Sequence, residues 1–112
     1  MNIQIFGTKK SFDTKKAERY FKERRINFQF IDMKEKGISK GEITSVISAV
    51  GINEVIDTDS KKYEKSDLRN VRSPEVKAEM LLKDQSLIRL PIVRNGKKAT
   101  VGYKPEIWKD WE

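Results

Sequence analysis

The chain has 112 residues and contains no cysteine and no histidine. Without thiols there is no disulfide, no thiol redox cycle and no cysteine-based zinc site. Without imidazole there is no histidine general base and no histidine ligand for zinc. Nothing in the sequence calls for an oxidising compartment. Long apolar runs are also missing. No stretch approaches the roughly 18 residues needed to cross a bilayer, and the opening MNIQIFGTKK lacks the apolar core of a signal peptide. These absences point to a soluble cytoplasmic protein with no membrane attachment, no metal and no cofactor.

What is present is charge. Charged residues make up 37% of the chain and hydrophobic residues another 37%. The apolar residues cluster, so the composition is that of a folded domain and not a disordered segment. A chain of this length suits one compact domain, residues 1–112, able to stabilise its own core. Lys and Arg number 24 against 17 Asp and Glu, a formal net charge of +7. Such an excess favours acidic partners, either nucleic acid or an acidic protein surface. A plain solvated basic surface is the simpler reading, because cations run along the whole chain mixed with acids.

The order of elements follows from periodicity. Residues 2–6, NIQIF, alternate as a strand with Ile3 and Ile5 on one face. The stretch FGTKKSFDTKKAERYF then turns from strand through loop to helix. Ser11 is placed to cap that helix, Asp13 suits its positive end, and Ala17, Tyr20 and Phe21 share one face. The helix should stop near Arg25, before a second strand in NFQFID. Ser39 and Glu42 form a capping-box pair ahead of the stripe Ile43, Val46, Ile47 and Val50, and Gly51 ends that helix. A short helix is expected over 58–68. Another begins at Ser73-Pro74, with Val76, Met80 and Leu81 facing inward. Pro91-Ile92-Val93 starts a strand, Asn95-Gly96 makes a two-residue hairpin turn, and Thr100, Val101 and Tyr103 lie on the return. Pro105 opens a last helix that turns Ile107, Trp108 and Trp111 inward. The sum is an α/β domain. A βαβ unit, with parallel strands expected to cross over right-handed, and a β-hairpin form a four-stranded mixed sheet, with a helical segment inserted at about 39–88.

This order resembles the arsenate reductase-related family of thioredoxin-like proteins, which includes glutaredoxin-type arsenate reductases and Spx-type transcription regulators. The resemblance covers nearly the whole chain. It rests on FGTKKSFDTKKA, on the helix ending at Val50-Gly51, on Leu87-Ile88-Arg89-Leu90-Pro91-Ile92-Val93 and on Val101-Gly102-Tyr103. The resemblance implies a thioredoxin-like fold. It places the family's reactive cysteine on Ser11 and the second cysteine of its C-x-x-C variants on Thr14. It places the cis-proline on Pro91. Arginines that hold the oxyanion fall on Leu90, on Tyr103 and near Asp57 or Asp59. In Spx-type regulators the region of Gly51 belongs to a polymerase-contacting surface, but here a helix C-cap accounts for that glycine.

The departures agree with one another. Serine cannot cycle through a mixed disulfide, leucine donates no hydrogen bond, and a desolvated aspartate would repel an oxyanion by about 4 kcal/mol at 4 Å and an effective dielectric near 20. Ser11 is a nucleophile only if a lysine serves as its base; otherwise it is a helix cap. Lys9, Lys10, Lys15 and Lys16 oppose the helix dipole, which an anion bound by Lys9, Lys10, Ser11 and Lys15 would offset, or they simply face solvent. Arg89 is a weak substitute for the arginine lost at Leu90, since adjacent residues of a strand point to opposite faces. Pro91 shapes the loop in either reading. The tryptophans read as packing groups, not base-stacking platforms.

Two functions follow. The first is a family member that has lost thiol chemistry and acts as a protein-binding or regulatory module, with the transcription machinery as the partner the resemblance offers. The alternative is an oxidoreductase homologue that keeps a small-oxyanion site or has changed chemistry. Nucleic-acid binding ranks last, for want of an aromatic-basic motif or a helix-turn-helix pattern.

Overall fold

The computed structural model describes residues 1–112. Strand β1 (Ile3–Gly7) leads into helix α1 (Phe12–Glu23) and strand β2 (Phe28–Asp32). Helices α2 (Lys40–Val50), α3 (Ile52–Val55), α4 (Lys61–Lys65) and α5 (Pro74–Lys83) follow, then β3 (Ile92–Asn95), β4 (Lys98–Val101) and α6 (Pro105–Trp108). The sheet order is β2-β1-β3-β4. β1 pairs parallel with β2, Ile5 opposite Phe30, and antiparallel with β3, Ile5 opposite Val93. β3 and β4 form the hairpin across Asn95-Gly96, where Gly96 takes φ +62°. The mixed four-stranded sheet is therefore as the sequence predicts, and the helical segment lies between β2 and β3.

Strand alternation divides the core in two. Ile3, Ile5 and Val93 face α1 and α6, packing on Ala17, Tyr20, Phe21 and Trp108. Phe6, Ile31, Ile92 and Val101 face the inserted helices, against Ile43, Val46, Leu81 and Leu87. Trp108 is wholly buried, with its ring 5.2 Å from both Tyr20 and Phe21, and its Nε1–H donates to Thr100 Oγ1 at 2.7 Å. The capping box forms as expected: Glu42 N–H donates to Ser39 Oγ, and Ser39 N–H to Glu42 Oε1.

Four local expectations are corrected. The 58–68 helix is two pieces, α4 and a 3-10 turn at Asp67–Asn70. Ser66 separates them: it is extended, and both its N–H and its Oγ–H donate to Tyr63 O. Tyr103 lies beyond β4, because Gly102 at φ +88° turns the chain and its N–H donates to Pro91 O. Val76 is 43% exposed and Ile107 41%. At about 100° per residue, Val76 lies roughly 140° round α5 from buried Leu81, and Ile107 about 100° from buried Trp108. The single turn α3 has no periodic signal in the sequence.

Candidate functional site

The end of β1 and the start of α1 are joined by close packing. A Cβ on Gly7 would collide with the side chain of Thr14, so glycine lets the helix lie against the strand. Ser11 caps α1: Thr14 N–H donates to Ser11 Oγ at 3.1 Å, and Lys15 N–H to Ser11 O. No ionisable side chain hydrogen-bonds Ser11 Oγ, so nothing is poised to take its proton. Thr14 is fully buried, and its Oγ1 has no partner.

The Leu90–Pro91 peptide, just before β3, is cis. Arg89, one residue before it, turns toward the inserted segment. Its Nη1 donates to Asp59 Oδ2 at 3.2 Å, its Nη2 to Thr58 Oγ1 at 3.2 Å, and Asp57 Oδ1 lies 3.8 Å from Nη2. Backbone bonds hold the same segments together: Arg89 N–H donates to Val55 O, and Asp57 N–H to Leu87 O.

A cleft of about 370 Å³ runs between the first turn of α1 and these segments. Asp13, Glu54, Thr58, Arg89, Tyr103 and Lys104 line it. Two cations meet two carboxylates there, and Arg89 is already bonded to Asp59. Of the residues read from the sequence as anion contacts, the structure brings only Arg89 into this cleft. Lys9 lines a different hollow with Asp32, Glu35 and Lys36. Lys10 is exposed. Lys15 lies on the outer side of α1 with Arg19 and Lys22, its Nζ 5.9 Å from the Phe12 ring. Ser11 is half-buried and does not line the cleft. Asp13, Thr58 and Lys104 had no signal as site residues, because what joins them is the return of the chain across 30 or more positions.

A second hollow, about 410 Å³, opens on the other side of Tyr103, against Lys16, Arg19, Tyr20 and Arg24. Arg24 stacks 3.7 Å above the Tyr20 ring, and Lys16 lies 5.6 Å from that of Tyr103. Burial raises the Tyr20 phenol above its ordinary pKa, with Arg24 opposing and Glu112 adding to the shift. The positive excess is not spread evenly: residues 9–25 carry eight Lys or Arg against three Asp or Glu, a net +5 of the chain's +7.

The sheet order, the parallel β1–β2 pair and the cis peptide before Pro91 at the head of β3 define a thioredoxin-like α/β protein. The ArsC family model matches residues 6–111, and the chain belongs to the ArsC family. The Global transcriptional regulator Spx of Streptococcus pyogenes is 23% identical, over 93% of this chain and 80% of its own length. Among solved structures, the YFFB protein superposes with a TM-score of 0.88 at 23% identity, covering 96% of each chain. The arsenate reductase from Vibrio cholerae gives 0.84 at 21%, covering 98% of this chain and 97% of its own. At these identities the structural likeness speaks for the fold. No helix is long and apolar enough to cross a membrane.

Proposed function

We propose that this ArsC-family protein is a non-catalytic protein-binding module of the cytoplasm, acting in regulation as the Spx relatives' name indicates for them. One observation carries the reading. At the position where the resemblance puts a reactive thiol stands Ser11, whose oxygen is engaged as the cap of α1 and has no base beside it. The alcohol has a far higher pKa than a thiol and forms no mixed disulfide. The electrostatic frame points the same way, since Asp57 and Asp59 neutralise Arg89 where an oxyanion would need it free.

The pure chain is assayed for arsenate and disulfide reduction with glutathione plus glutaredoxin, and with thioredoxin. No turnover is expected, and clear turnover overturns the reading. Affinity capture from the source cell, compared with a Lys9→Ala/Lys10→Ala variant, identifies the partner, for which the transcription machinery is the first candidate.

A second reading, an oxyanion site without reduction, is favoured only by Arg89 and Lys104 sharing the cleft. Titration with phosphate, sulfate and arsenate tests it. Saturable binding at the first turn of α1 supports it, and an empty site at high anion concentration removes it.

A further inference from the structure

We propose that the outer face of α1, with Phe12 at its head and the hollow beside Tyr103 along its side, docks an acidic segment of a partner protein. The inference rests on the protein-binding reading and adds where the partner binds and what its chemistry is.

Three observations converge. The first is that the α1 region holds most of the chain's net charge, and none of its eight cations forms an ion pair within the chain. Elsewhere three of the other sixteen, Lys62, Arg89 and Arg94, find a carboxylate, so what sets α1 apart is the density of unpaired cations along one helix. The α1 charges are therefore free to meet carboxylates brought from outside. The second is Phe12, which is 80% exposed at the first position of the helix, beside Lys15. An aromatic ring left in water has no role in this core, whereas phenylalanine is among the residues enriched at the centre of protein interfaces. The third is the 410 Å³ hollow, where Lys16, Arg19 and Arg24 surround Tyr20 and Tyr103. It gives concavity next to the anchor, with Glu23 its one carboxylate.

The same features count against nucleic acid. Base stacking along a strand needs several open aromatic faces, and beyond Phe12 the rings of this surface are covered. Here Arg24 covers Tyr20, Lys16 lies against Tyr103, and the Tyr103 ring meets Trp108 edge-on. Asp13, Glu18 and Glu23 also interrupt the basic face; a phosphate backbone, charged at every unit, cannot avoid them, whereas an acidic peptide can set its spaced carboxylates against the cations and its apolar residues elsewhere.

Fluorescence anisotropy tests the proposal, using a labelled synthetic peptide of repeated Glu-Glu-Leu triplets and, in parallel, labelled single-stranded polyuridine. The peptide is expected to bind at low salt and to weaken as salt rises. Phe12→Ala should lower affinity about tenfold, in line with the truncation of an interface anchor. Lys15→Glu/Arg19→Glu should abolish binding. Lys97→Glu/Lys98→Glu makes the same charge change at the exposed β-hairpin turn and should leave most of the affinity. Far-ultraviolet circular dichroism and Trp108 emission check that each variant is folded. The proposal is overturned if the peptide does not bind, if Phe12→Ala has no effect, if the hairpin variant loses as much as the α1 variant, or if polyuridine binds more tightly than the peptide. A variant that still captures the cellular partner after both α1 changes would also sink this surface while leaving the protein-binding reading intact. Reductase turnover would sink that reading and leave the peptide result untouched.

Discussion

Arg89 donates to Asp59 across 30 residues of sequence, Nη1 to Oδ2 at 3.2 Å, at the rim of the cleft beside the start of α1. The pair joins the inserted helical segment to the residue that precedes Leu90-Pro91. It also neutralises the cation best placed to hold an anion in that cleft. Asp59 is largely exposed, so the pair is worth at most about 1 kcal/mol to folding. Its larger effect is electrostatic masking. Asp57→Asn/Asp59→Asn should leave stability almost unchanged and raise sulfate affinity roughly tenfold, at about 1 kcal/mol or a little more released from the two carboxylates. Nuclear magnetic resonance titration of the Arg89 side chain reads this directly. An unaltered sulfate isotherm would mean that Arg89 does not face a usable anion position.

Ser11→Cys separates the thiol from its frame. A cysteine at a helix N-cap sits where the dipole favours thiolate, so its alkylation by iodoacetamide should titrate below the ordinary value of about 8.5. Arsenate turnover should nevertheless be absent, because Leu90 and Tyr103 occupy positions where the family resemblance calls for arginine. Measurable turnover by this variant would show that the missing sulfur alone had silenced the site.

Thr14 invites the opposite substitution. Its hydroxyl is buried without a partner, against Gly7. An unpaired buried hydroxyl costs on the order of 1–3 kcal/mol, and valine has nearly the same shape. Thr14→Val should be neutral or raise the midpoint of urea unfolding. A drop of more than about 1 kcal/mol would reveal an interaction of the hydroxyl that the structure does not contain.

The sheet was legible because its signals are local. Ile3 and Ile5 alternate, Asn95-Gly96 marks the hairpin, and Ser39 with Glu42 announces α2. The caps at Ser11 and Ser73 were legible for the same reason, since a side chain reaching three residues ahead leaves its mark within one turn. The cleft was not. Its lining draws Asp13, Thr58, Arg89 and Lys104 from four distant segments, and no periodicity records that Arg89 turns toward Asp59. The lysines read together as an anion cluster lie on separate hollows, because Lys9 precedes the helix and Lys15 is a full turn into it. Val76 and Ile107 misled for a simpler reason: an apolar residue on a short helix does not say which side the core lies on.

Acid stability should report on Asp84. Hydrogen bonds from Ser86 and from Lys62 hold its carboxyl below the usual range, with Lys62 Nζ at 3.0 Å. Lowering the native pKa means that the unfolded chain takes up the proton first. The stabilisation is then complete above the unfolded value, about pH 4, and is lost as pH falls through the lower native value. The side chain is 45% exposed, so the effect is small. Comparing wild type with Asp84→Asn by thermal unfolding, the difference in Tm should be constant near neutrality and shrink toward zero below about pH 4. A difference that grows on acidification would contradict the assignment.

The bond from Trp108 to Thr100 links α6 to the sheet inside the core. Trp108 is wholly buried and Thr100 nearly so, and the indole N–H has no other acceptor. Thr100→Val keeps the volume but leaves that donor unpaired, at a cost of about 1–3 kcal/mol. Trp108→Phe removes the donor but opens space against Tyr20, Phe21 and Tyr103, and cavities of this kind cost a few kcal/mol, roughly 2–4. The two changes should not add. In the double variant no donor is stranded, so Thr100→Val should cost less in the Trp108→Phe background than in the wild type, by about 1 kcal/mol or more. Urea unfolding of the four proteins, followed by far-ultraviolet circular dichroism so that the lost indole does not bias the signal, supplies the cycle. Additive costs would mean that the 2.7 Å contact contributes packing only, and that α6 is held by its aromatic neighbours rather than by this bond.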